Sequence, residues 1–198
     1  MPNWCFNSAT FSHDDHAQVD ALAEAFNEGK PFATFQPPPS GEWEYGWCSE
    51  NWGTKWDVQP IDSVESEDGS LSVMFDSAWA PPIGFYRHME SLGWSVDATY
   101  HESGMSFAGH YSDGDDNYYE YDFSNEDWRE EIDDPDVLEI LESEYESWLE
   151  WQEEESDFGD DDEDVDDDND GTNDEGEAGS GDDDAEPDSG TGNIKDGS

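Results

Sequence analysis

Apolar and polar side chains alternate along NWCFNSATF, residues 3–11, and a period of two predicts a strand there. The period then lengthens. Val19, Leu22, Ala23 and Phe26 recur at i, i+3, i+4 and i+7, which predicts a helix over 14–28 with Asp14 or Asp15 as its cap and Gly29 as its stop. Residues 32–36 read as a short strand ended by three prolines. Residues 40–57 read as a long loop holding Trp43, Trp47, Trp52 and Trp56. A weaker strand is expected over 58–65 and a firm one over 70–77, SLSVMFDS. Pro81 and Pro82 open a second helix that runs to about Leu92. Residues 94–101 and 105–111 form a hairpin around Ser103-Gly104, and 117–123 a further strand after Asp113-Gly114-Asp115.

The order β-α-β-β-α-β-β is that of an α+β ferredoxin-like sandwich, with two helices on one face of an antiparallel sheet. It accounts for residues 1–125. A different pattern follows. Pro135 opens a helix after Asp133 and Asp134, and Leu138, Leu141, Tyr145, Trp148 and Leu149 form an apolar stripe against a wall of glutamates over 126–156. That stripe either docks onto the open face of the domain or lies in the apolar groove of a partner. Residues 157–198 are nearly all Asp, Glu, Gly and Ser, a composition that predicts a disordered polyanionic tail.

Charge narrows the function. Residues 1–125 hold 22 acidic and 3 basic side chains, residues 126–150 hold 12 and 1, and residues 151–198 hold 22 and 1. Five Lys and Arg cannot neutralise a phosphate backbone, so neither nucleic acid nor an anionic membrane is an expected direct partner. Basic proteins, nucleic-acid-binding ones among them, are the natural company. No apolar run reaches the ~18 residues of a membrane span, and the start MPNWCFNSATF lacks a signal-peptide pattern, so a cytoplasmic location is expected. The ten Trp, ten Phe and eight Tyr supply enough apolar area for a core before residue 125. Cys5 and Cys48 read as buried free thiols, with a disulfide or a shared metal as alternatives.

Chemistry is sparse. Glu50, Asp57 and Glu102 lie near aromatics, but 56 acids make such proximity ordinary, and no nucleophile motif or phosphate loop accompanies them. No catalytic residue and no cofactor is expected. His13-Asp14-Asp15-His16 has i, i+3 spacing that suits either a divalent ion or a solvated helix start. His101 and His110 fall on the two arms of the hairpin, without a Cys-x-x-Cys pair to anchor zinc. Asp166, Asp168, Asp170, Gly171 and Glu177 match a calcium loop, a match that Asp-rich sequence produces cheaply. The strongest candidate binding surface is the loop segment Asn51, Trp52, Thr54, Lys55 and Trp56, with Trp79 expected beside it.

Four blocks in order, MPNWCFN, SENWGTKWD at 49–57, AWAPP at 78–82 and HESGMSFAG at 101–109, resemble the YubB-type ferredoxin-like family of phage and plasmid accessory proteins. The resemblance covers about residues 1–125. It implies the ferredoxin-like fold, a mobile-element origin and therefore the cytoplasm of a host cell, and little chemistry. The acidic tail departs from that pattern. Two functions stand at this point. One is a non-enzymatic accessory protein that binds a protein partner, in its sharper form as an acidic mimic of nucleic acid. The other is a small-ligand or peptide-binding module built on the Trp-rich loop, its acidity belonging to a halophilic host.

Overall fold

The computed structural model describes residues 3–61, 64 and 66–157. The tail from residue 158 and the Asp166–Glu177 pattern lie outside them. Five strands, β1 (Trp4–Ser12), β2 (Ser70–Ala78), β3 (Ser95–Glu102), β4 (Phe107–Ser112) and β5 (Asp115–Glu120), form one antiparallel sheet in the order β2-β1-β3-β4-β5. Trp4 pairs with Ala78 and Ser12 with Ser70, while Phe6 pairs with His101 and Ser12 with Ser95. Both β2 and β3 therefore run opposite to β1, which lies between them.

Alternation in the strands writes a face for each side of the sheet. The odd residues of β1 and β2 and the even residues of β3 point one way. On that side α1 (His16–Asn27) lays down Val19, Leu22 and Phe26, and α4 (Ile83–Ser91) lays down Phe85, Tyr86 and Met89. They close over Phe11, Leu71, Val73, Phe75 and Val96, all buried. Asp15 caps α1 by accepting from the Ala17 N–H at 3.1 Å.

Four expectations change. Residues 32–36 are not a strand. Pro31–Phe35 form a short helix, α2, because Pro31 suits a first helical position and the carboxylate of Asp57 accepts the N–H groups of Phe32 and Ala33 at 3.0 and 2.8 Å. The Trp-rich loop contains a helix, α3 (Tyr45–Asn51). The described residues of 58–65 form no strand. The last strand starts at Asp115 and ends at Glu120, earlier than its pattern predicts.

The C-terminal stripe takes the first of its two expected places and docks onto the face that α1 and α4 leave open. After a 3-10 turn at Trp128–Glu131, α5 (Pro135–Asp157) crosses the side of the sheet opposite α1 and α4. Val137 and Leu141 are fully buried there with Ala108, Tyr121, Trp128 and Ile132. This second core lies over β3 and β4. Beside it, the same face of β1 and β2 leaves Trp4 and Met74 exposed. Cys5 and Cys48 are buried free thiols. Among the described residues no helix is long and apolar enough to cross a membrane.

Candidate functional site

The segment from Trp43 to Asp57 divides into residues that hold the fold and residues that face outward. Trp52, 2 % exposed, packs on Phe32 and Trp47 at 5.7 and 5.9 Å between ring centres, and its Nε1 donates to the Gln36 carbonyl at 2.9 Å. Asn51 donates to the Trp47 carbonyl one turn back and accepts at its own carbonyl from Gln36. That carbonyl lies so close to Gly84 that a Cβ there would overlap it, which is why the first turn of α4 carries a glycine at this crossing. Thr54 is buried, and its hydroxyl both donates to the Ala78 carbonyl at 2.9 Å and accepts from the Ala78 N–H at 3.0 Å. Asp57 takes three backbone N–H groups, and burial nonetheless pushes its pKa up to about 6.

Lys55, Trp56 and Trp79 complete the candidate set, and the structure does not gather all six into one cavity. Lys55 places its ammonium 4.4 Å from the Trp56 ring centre and 5.7 Å from Tyr45, while Trp43 donates to its carbonyl. Trp56 meets Trp4 at 6.4 Å. Trp79 is 51 % exposed at the end of β2, held at φ 74°, a left-handed conformation rare for a bulky residue, with its N–H on the Asn3 carbonyl. Sequence reasoning missed Trp4, Tyr45 and Met74 as members of this aromatic rim. The polar face of the β1 and β2 alternation was the signal that marks Trp4 and Met74.

The rim borders the outer edge of β2, and its backbone chemistry is the most informative feature here. Thr54 satisfies the outward N–H and C=O of Ala78. Ser70 exchanges both of its outward hydrogen bonds with Glu67 at 2.9 Å. Outward groups recur at every second residue of a strand, so Ser72, Met74 and Asp76 present theirs between these two closures. Among the described residues nothing pairs with them. Alongside lies a groove of about 230 Å³ walled by Trp4, Pro60, Ile61, Met74 and Asp76.

The C-terminal stripe docks on the sheet at one end and reaches solvent at the other. Leu141 is buried and Leu138, Tyr145 and Trp148 half-buried, while Leu149 is exposed. Tyr145 and Trp148 stack at 5.8 Å and both meet Phe123. Asp134 caps α5 through Oδ1, which accepts from the N–H groups of Asp136 and Val137, and its Oδ2 meets His110 Nδ1 at 2.8 Å. Burial pulls the His110 imidazolium down, but the hydrogen bonds and charges of Asp134 and Asp97 outweigh it, so its pKa stands above 6.5. Burial likewise raises the Asp134 carboxyl, and His110 with the two helix N–H groups outweighs that and holds it below the usual range. His110, Asp134 and Asp136 are close enough to share an ion, yet Asp134 already serves as the helix cap and His110 as its counter-charge. His101 and His110 do not meet in a common site: His101 pairs instead with Glu144 at 3.2 Å. Compared with known proteins, the chain matches no family model, no curated protein and no solved structure.

Proposed function

We propose that this chain is a non-enzymatic accessory protein that captures an extended basic segment of a partner protein along the open rungs of β2. The observation that carries the reading is the window Ser72–Met74–Asp76, closed above by Thr54 and below by Glu67, beside an aromatic groove. A strand laid into such a window gains main-chain hydrogen bonds, and alternate side chains find pockets. The occupant is cationic because Asp76 lines the groove and because residues 1–150 carry 34 acids against 4 bases. The same imbalance opposes direct contact with nucleic acid or an anionic membrane and favours a host protein that itself binds nucleic acid, for which an acidic surface is a mimic of phosphate.

The four sequence blocks support membership of the YubB-type family and a mobile-element origin, with action in a host cytoplasm. The β2-α4-β3 unit, with β1 inserted between its strands, is one of the two split β-α-β units of a ferredoxin-like sandwich and supports that reading of residues 1–125 in part; β1 and β2, joined through α1, are antiparallel neighbours and the expected second strand at 32–36 is a helix, so the order β-α-β-β-α-β-β is not kept.

Immobilised full-length chain, challenged with bacterial lysate at low salt, is expected to retain basic proteins that elute as salt rises. Hydrogen exchange on the chain with its captured partner is expected to show protection at the amides of Ser72, Met74 and Asp76. Met74→Pro removes one outward N–H and leaves the ladder to β1 in place, and capture should be lost. Protection that avoids β2, capture indifferent to Met74→Pro, or retention of DNA instead of protein overturns the proposal.

A further inference from the structure

A second concavity, remote in sequence from the β2 edge, lies where the outer end of α5 faces the turns at 103–106 and 121–124. It encloses about 450 Å³. Its walls are aromatic, from Tyr121, Phe123, Trp148 and Trp151, and its charged groups are Glu144 and Asp122. Four serines supply the remaining polarity, and among the described residues no basic side chain lines it. Trp151 is 51 % exposed, on a helix whose inner residues are buried.

Two details point to a ligand rather than to a solvent-filled cleft. Tyr121 is 8 % exposed and lines the cavity, and its enclosed hydroxyl lies near Ser103 without a close hydrogen bond among the described residues. A buried hydroxyl left so is unusual. Glu144 is held in place by Ser103, itself in the wall, at 2.8 Å and by His101 at 3.2 Å, so its carboxylate is positioned in the wall rather than free to swing into solvent. Asp122 accepts from the Ser124 hydroxyl and N–H, which hold its carboxyl below the usual range.

We infer that this cavity binds a guanidinium group carried on an aliphatic stem. The chemistry selects it stepwise. Carboxylates and aromatic faces without a basic residue favour an organic cation over an anion or a neutral solute. Hydroxyl and carboxylate acceptors need N–H donors, which a quaternary ammonium lacks. A planar, weakly hydrated cation stacks on indole while its edge reaches carboxylate, and a compact ammonium does this less well. The volume leaves room for a stem along Phe123 and Trp148. This inference does not rest on the β2 edge: either site can fail alone.

The test is calorimetric titration of the full chain at about 0.15 M salt, where exposed charge is largely screened. The probes are N-acetylarginine methylamide, a short neutral peptide with one internal arginine, the two lysine counterparts, and methyl glucoside. Saturable one-to-one binding of an arginine probe, with the lysine counterpart weaker by about tenfold or more, is expected. If the free arginine derivative binds, the natural ligand is a small guanidino compound. If only the peptide binds, it is an arginine of a protein. Trp151→Ala and Glu144→Gln should each weaken binding about tenfold, Trp151→Phe less, and Met74→Pro not at all. Trp151 is exposed, so its replacement leaves the fold intact and keeps the result readable. Equal binding of arginine and lysine probes, binding of the sugar, or indifference to both substitutions overturns the inference.

Discussion

The side of the sheet under α1 and α4 holds one large core, to which Ile83 joins the small cluster of Cys5, Tyr100 and Phe107, whereas the opposite side is divided. There α5 covers β3 and β4, and the adjoining β1 and β2 stay bare. The first core draws on every element up to residue 111, so its residues are coupled through many neighbours. The second rests on one helix and its lead-in turn, held by Val137, Leu141, Trp128 and the Asp134 cap. Equal burial of single side chains on the two sides thus stands for different cooperativity. One side is the domain. The other is a buttress whose loss is expected to leave the domain folded.

Trp52→Ala attacks the first core and should be the most damaging change. It removes a buried indole and its hydrogen bond to Gln36, at a cost of about 3–5 kcal/mol read as a global shift in the urea midpoint. Leu141→Ala should cost about 2–4 kcal/mol in the docking of α5, read as faster hydrogen exchange confined to 128–150. Global unfolding by Leu141→Ala at a common midpoint would erase the proposed difference between the sides. Thr54→Val is expected to cost about 1–3 kcal/mol by stranding the Ala78 N–H and C=O. It would also lengthen the open edge, so a captured partner should protect Ala78 as well.

The smallest effect is a pH dependence of the α5 dock. His110 has its pKa raised in the fold, so its contribution is complete below about 6.5 and fades as pH rises through the folded value. Asp134 has its pKa lowered, so its contribution is complete above about 3.9 and fades as pH falls through the folded value. Hydrogen-exchange protection of α5, taken relative to the intrinsic rate at each pH, should therefore be highest between these limits. The groups facing His110 are Asp97 on β3 and Asp134 and Asp136 at the start of α5. His110→Asn should flatten the alkaline limb, with a change below about 1 kcal/mol because the pair is partly solvated.

Where structure is local, the sequence is a good guide. The strands at 3–11 and 70–77, the helices at 14–28 and 82–92 and the 94–111 hairpin follow from periodicity and stop signals, and each stands within a few residues of its expected place. The misreadings share a cause. Phe32 and Phe35 look like strand residues, but a carboxylate 25 positions away in Asp57 starts a helix there. The α3 helix forms without a side-chain cap, against α4, in a segment whose aromatics gave no clean period. The stripe on α5 was legible, but which face it covers depends on sheet order. Of the six residues marked around the loop, Asn51, Trp52 and Thr54 serve the fold, while Lys55, Trp56 and Trp79 face outward. The edge window escaped notice because backbone groups leave no mark in side-chain pattern; only the partners of Thr54 and Glu67 reveal it.

Those two closures set a ruler. A guest strand can span three rungs and no more, and the acidic Asp76 inside the window repels another molecule of this same chain. An uncapped edge is a template on which copies stack without limit. On the proposed reading, a short, charged slot would admit a stranger and stop, and a protein this rich in tryptophan would keep an adhesive margin without seeding its own fibres.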